Sequence, residues 1–223
     1  MSILFVLLTF LIVIAINYFY FQVPQGAPLE ATANVPLRPR APTMAKEAGF
    51  SIPQGYSFHP GHTWVVRESG ESARIGLDKF AADLVGNIDR IEVADPSRWI
   101  RQGQRLVTIH CGDSSFDLLS PVEGVVMTVN DDLVKNPALA TNDPYKDGWI
   151  AVLRSPDLKT NQRNLLTGPM VAPWMHYSVS RLNEACATMN PALAQDGGAP
   201  ATDVLPRLEP KLRQKLIKEF FLN

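Results

Sequence analysis

The sequence predicts a mainly β domain, a compact antiparallel sandwich or barrel with flanking helices, behind one N-terminal transmembrane helix. Three observations carry that expectation. From Tyr56 onward, seven short apolar runs alternate with Gly, Pro, Asn and Asp, the pattern of strands joined by turns. An uncharged apolar stretch opens the chain, and a proline-rich stretch separates it from the first run.

Between Ile3 and Val23 the chain carries no charge and is broken only by Thr9, Asn17 and Gln22. As a helix these residues span about 31 Å at ~1.5 Å per residue, enough to cross a bilayer core. Tyr18, Phe19, Tyr20 and Phe21 crowd the downstream end, where aromatic rings favour the lipid–water interface. A cleaved signal peptide fits less well, because no Lys or Arg precedes the apolar run and no clean small-x-small cleavage site is present. The first basic residues, Arg38, Arg40 and Lys46, lie downstream. The positive-inside tendency then holds the following domain on the cytoplasmic side of an inner or plasma membrane, as a single-pass protein. Residues 24–55 read as a tether, since Pro24, Pro28, Pro36, Pro39, Pro42 and Pro53 among Ala, Thr and Gln favour extended, polyproline-like backbone.

Composition excludes several functions. With a net charge of −1, no global field points to nucleic acid. Cys111 and Cys186 are too few for a disulfide framework and lack the paired spacing of a zinc site, so both read as reduced thiols. The "HPGH" at 59–62 places two histidines close together, but without clustered acids or cysteines it does not make a metal site.

The seven runs are "HTWVVRE", "ARIGL", "DRIEVA", "RLVTIHC", "FDLLS", "GVVMTVN" and "WIAVLR". One helix interrupts them in "GLDKFAADLVG", where Asp78 can cap, Phe80, Ala81, Leu84 and Val85 share a face, and Gly86 can supply the stop. A second helix is expected from about Pro173, with Met175, Val179, Leu182, Cys186 and Met189 at helical spacing. Residues 191–206 read as a linker. In the tail, 207–223, Leu208, Leu212, Leu216 and Phe220 form an i, i+4 stripe opposite Lys211, Arg213, Lys215 and Lys218, a basic amphipathic helix. It can dock on a partner, lie on an anionic membrane face or pack on its own domain; the stripe alone does not choose.

The stretch from about Tyr56 to Leu153 resembles the H protein of the glycine cleavage system, a lipoyl-carrying shuttle. "GHTWV" looks like the family's His-x-Trp strand, "RIGLDKFAADLVGNI" like its glycine-bounded helix, "LLSPVEGVVMTVN" like its Ser-Pro-x-x-Gly hairpin, and "NPALATNDPYKDGWIAVL" like its Asn-x-Asp-Pro-Tyr signature. Four motifs in order make the resemblance specific. It implies a lipoyl/biotinyl-type barrel-sandwich hybrid with flanking helices, spanning residues 56–190. On that fold Gly76, Gly86, Gly124 and Gly148 become turn or helix-end positions, Trp64, Trp99 and Trp149 become core or core-edge aromatics, and His62 becomes a hydrogen-bonded structural residue.

The resemblance fails at one place. The family carries lipoate on a lysine at a hairpin tip. Counting ten residues from Gly103, or back seven from Ser120, gives Asp113, so His110, Cys111, Gly112 and Asp113 occupy the attachment motif. A carboxylate cannot form the amide, which needs a nucleophilic amine. Gly112 before Asp113 still suits a two-residue turn, and the nearest lysines, Lys79, Lys135 and Lys146, fall in the helix and loops.

The resulting expectation is a protein that is not an enzyme: a membrane-tethered, non-lipoylated H-protein-like domain acting as an accessory or scaffold subunit of a membrane-associated assembly. It needs no cofactor, metal, nucleic acid or small-molecule substrate, and has two kinds of partner, lipid through the N-terminal helix and protein through His110, Cys111, Gly112, Asp113, Leu212, Leu216 and Phe220. One alternative is a lipoyl carrier of glycine cleavage or lipoate relay. Another is a thiol-based redox protein using Cys111, in which His110 would lower the thiol pKa, although consecutive strand residues face opposite ways.

Overall fold

A computed structural model describes residues 43–187 and 202–222. The transmembrane helix read in Ile3–Val23 lies outside the described residues, as do positions 24–42 of the tether and 191–201 of the linker. Among the described residues no helix is long and apolar enough to cross a membrane.

The last part of the expected tether is a strand pair instead. β1 (Met44–Glu47) and β2 (Phe50–Pro53) pair antiparallel, joined through Ala48 and Gly49, both at positive φ. Phe50 and Ile52 alternate inward and are buried, so this segment belongs to the core rather than to a spacer.

All seven apolar runs form strands. β3 (Ser57–Phe58), β4 (Thr63–Ser69) and β5 (Ser72–Leu77) follow in antiparallel succession. Helix α1 (Lys79–Val85) comes next, capped as its sequence requires: the Asp78 side chain accepts from the Ala81 amide at 2.8 Å, and Gly86 closes it at φ +70°. β6 (Arg90–Val93), β7 (Trp99–Ile100), β8 (Arg105–Cys111), β9 (Ser114–Leu119) and β10 (Gly124–Val129) lead to two short helices, α2 (Asp131–Lys135) and α3 (Leu139–Asn142). β11 (Trp149–Arg154) and α4 (Leu158–Gln162) complete the sheet region. The second long helix, α5, begins at Val171, two residues before Pro173, behind a 3-10 turn at Gly168–Met170, and runs to Ala187.

The strands build a six-stranded sheet of order β3-β4-β5-β11-β10-β7 and a three-stranded sheet of order β6-β8-β9. Val65, Ile75, Val126 and Leu153 from the first and Ile91, Ile109, Phe116 and Leu118 from the second join one hydrophobic core. Gly76 is not at a turn but inside β5, opposite Trp64. A Cβ there would run into the Trp64 indole, whose Nε1 donates to the Leu77 carbonyl at 2.8 Å and the Pro144 carbonyl at 3.2 Å. Glycine is required for close approach rather than for φ. Gly124 likewise opens β10 rather than a turn, and a side chain there would meet the Arg154 carbonyl.

Trp99 departs from expectation: it is 48% exposed. Its strand β7 is two residues long and sits at the edge of the large sheet, and Ile100 takes the inward position. Large apolar area does not ensure burial at a sheet margin.

Candidate functional site

The resemblance directs attention to the β8–β9 hairpin. Its ladder pairs Ile109 with Phe116, His110 with Ser115 and Cys111 with Ser114, leaving Gly112 and Asp113 as a two-residue turn. Gly112 has φ +55° and Asp113 does not share that sign, as a type II′ connection requires of its first central residue. Both residues are exposed. The tip is braced from the residue before β6: the Gly112 amide donates to Asp89 Oδ2 at 2.6 Å, and the Asp89 amide to the His110 carbonyl at 2.9 Å.

His110 and Cys111 point to opposite faces, as strand geometry demands. The His110 ring lies outward against Arg90, 3.4 Å from its guanidinium, and Glu92, 3.4 Å from its carboxylate. Cys111 is buried. Burial pushes its thiol pKa up, and Asp89 and Asp203 push the same way while Arg213 opposes them. A thiol so placed is protonated at neutral pH and is a poor nucleophile. His110 does not activate it.

The tail helix closes on this hairpin. After a 3-10 turn at Leu205–Arg207, α6 (Pro210–Phe221) buries Leu216, Ile217, Phe220 and Phe221. Phe221 stacks on Phe116 of β9 with ring centroids 4.3 Å apart. Arg213 donates to Ser114 Oγ at 3.2 Å and to the Leu208 carbonyl at 3.0 Å. Of the three fates open to the amphipathic stripe, its apolar side takes the third, packing on its own domain. Leu216 and Phe220 are therefore core residues, not a surface for a partner, and Leu212 is half-buried against them. The end of the expected linker is also structured: Val204 and Leu205 are buried, and the Asp203 amide donates to the Asp83 carbonyl at 2.7 Å.

A groove of about 430 Å³ runs between the tip and α6, lined by Asp113, Ser114, Phe116, Gln214, Ile217 and Lys218. Sequence reasoning placed Lys218 only on the basic face of the tail and missed that the fold brings its amine to the groove containing Asp113. Only docking of α6 reveals it.

The His-x-Trp element lies inside the domain. His62, 1% exposed, sits in the left-handed region at φ 60°. Its Nδ1 donates to Asp78 Oδ2 at 2.7 Å, its Nε2 faces Ser178 Oγ at 3.4 Å, and its ring lies between Phe80 and Trp174 at 4.5 and 4.6 Å. With a carboxylate on one side, the imidazole proton belongs on Nδ1. Asp78 thus caps α1 with one oxygen and holds His62 with the other, and the structural reading of His62 holds. Cys186 on α5 is half-buried and packs against the core. Among the described residues no group of three or more His, Cys, Asp or Glu could hold a metal.

Two antiparallel sheets over one core, with flanking helices and an exposed two-residue hairpin turn, define a lipoyl-domain-like fold. Residues 56–175 match the family Glycine cleavage H-protein, and the chain belongs to that family. A glycine cleavage system H protein of Prochlorococcus marinus (strain AS9601) is 30% identical over 118 residues, 53% of this chain and 90% of that protein. One from Magnetococcus marinus is 31% identical over 126 residues, 56% of this chain and 89% of that protein. A crystal structure of a glycine cleavage system H protein from Mycobacterium marinum aligns at 22% identity with a TM-score of 0.44, covering 47% of this chain and 87% of that one. Helix α6 lies beyond the matched region.

Proposed function

We propose that this chain is an H-protein family member that works without a lipoyl group, as a membrane-tethered accessory or scaffold subunit of a larger assembly with its domain in the cytoplasm. The observation that carries the reading is the tip turn itself. A lipoyl arm is held in amide linkage and needs an amine there. The turn offers Gly112 and the carboxylate of Asp113, and residues 105–119 contain no lysine, so the residues present do not fit the group. The apolar run Ile3–Val23 supports the tether, and the protonated Cys111 thiol argues against redox chemistry at the tip.

The carrier alternative keeps one observation in its favour, the Lys218 amine in the same groove. Intact-mass measurement of the full chain purified from its own membrane, followed by peptide mapping, separates the two. The expected result is the unmodified mass. A lipoyl adduct on Lys218, or on any residue, overturns the proposal in favour of the carrier. Proteins that co-purify in fixed ratio under gentle detergent then identify the assembly, whereas recovery of the chain alone removes the scaffold role.

A further inference from the structure

Helix α6 spends its apolar face on its own domain, which fixes the opposite face outward. Lys211 and Lys215 are exposed on that face and Lys218, also exposed, lies at its edge over the groove, the three within a sector of about 60° at 3.6 residues per turn. Exposed Leu222 follows the helix as its left-handed cap. Among the described residues none of the three ammonium groups has a salt-bridge partner, whereas neighbouring Arg181 is held by Glu184 and Glu219. The nearby carboxylates are Glu209 before the helix, Asp113 and Asp117 in the groove beside Lys218, and Glu219, which Arg181 holds. Arg213, tied to Ser114 Oγ and two backbone carbonyls, adds a further positive charge.

We propose that this lysine row rests on an anionic lipid surface, so that the domain is held against the membrane in one orientation. The inference rests on the membrane anchor proposed for residues 3–23. Charge complementarity favours it: three exposed ammonium groups without a salt-bridge partner among the described residues match an anionic surface. The chemistry favours lipid over protein. The row has one modest apolar side chain, not the buried aromatic anchor of a protein hot spot, and a fluid charged surface requires no shape complement. Each lysine near an anionic leaflet improves partition about fivefold, so three give about a hundredfold. That is weak in free solution but sufficient for a domain held at millimolar effective concentration by a tether.

The test is lysine acetylation footprinting of the full chain reconstituted in vesicles of phosphatidylcholine alone or with about a third phosphatidylglycerol. Lys211, Lys215 and Lys218 should be labelled severalfold more slowly on the anionic vesicles, with the protection lost at ~0.5 M salt. Lys135 and Lys146, exposed elsewhere, should be labelled alike on both. Changing all three lysines to Gln, which touches nothing buried, should leave the Lys135 and Lys146 rates unchanged. A chain that washes from the vesicles with carbonate overturns the anchor and this inference with it. A chain that stays, with equal labelling of the row on both vesicles, overturns only the inference. Protection in native membranes but in neither vesicle assigns the row to a protein and also overturns it.

Discussion

The His62 end of the domain and the Gly112–Asp113 tip are built in opposite ways. At the first, the imidazole is enclosed by Asp78, Phe80, Trp174 and Ser178, joining β4, α1 and α5. At the second, the turn is open to solvent and is held by backbone pairing, the Asp89 carboxylate and Arg213 on the neighbouring Ser114. On the function proposed above, the family likeness is retained where it organises the core and altered where it would carry chemistry. Fold and cargo are separable because the tip contributes almost nothing to the core.

The largest expected effect tests the enclosed end. His62→Ala removes the partner of a buried carboxylate and the ring between two aromatics, and should cost about 4 kcal/mol of unfolding free energy in urea denaturation. A loss under about 1 kcal/mol would erase the contrast. Next comes the tail. Phe221→Ala opens the stack on Phe116 and should cost about 3 kcal/mol, with faster hydrogen exchange in α6 and β9. If β9 does not respond, α6 is not a brace for the hairpin.

A smaller effect is a pH slope. Burial, and secondarily His62, hold the His59 imidazole below its usual 6.5, and its Nδ1 accepts from the Gly61 amide at 3.0 Å. The unfolded chain therefore takes a proton near pH 6.5 that the native chain refuses until lower pH. Above that value the group adds no slope; as pH falls through it, stability declines. Melting temperatures from pH 7.5 to 5 should fall more steeply for the wild type than for His59→Gln. The smallest effect belongs to the tip. Asp113→Lys should change stability by no more than about 0.5 kcal/mol, and a shift above 1 kcal/mol would show the turn to be structural.

Much of this was legible in the chain because local patterns were strong. The seven apolar runs form strands, and Asp78 and Gly86 bound α1, since alternation and capping act over a few residues. The β1–β2 pair was hidden: neighbouring prolines masked the alternation of Phe50 with Ile52 and the turn at Ala48–Gly49. Trp99 was misplaced because a residue's apolar area does not reveal that its strand lies at an edge. The tail's stripe established that one face is buried but not against what, so Leu216 and Phe220 read equally well as a partner surface. Lys218 beside Asp113 depends wholly on tertiary docking, which no local spacing encodes. At the tip, Gly112–Asp113 was readable as a turn, whereas the Asp89 brace, 23 residues upstream, was not.

That brace has a consequence for recognition. An unsupported two-residue loop samples many shapes, and a ligand must select one and lose the others. Here the Asp89 carboxylate and, from the far side, the Arg213 guanidinium pin the loop from two directions. A loop tied in this way has fewer shapes to give up on contact, which lowers the ordering cost of recognition and lets shape contribute to selectivity.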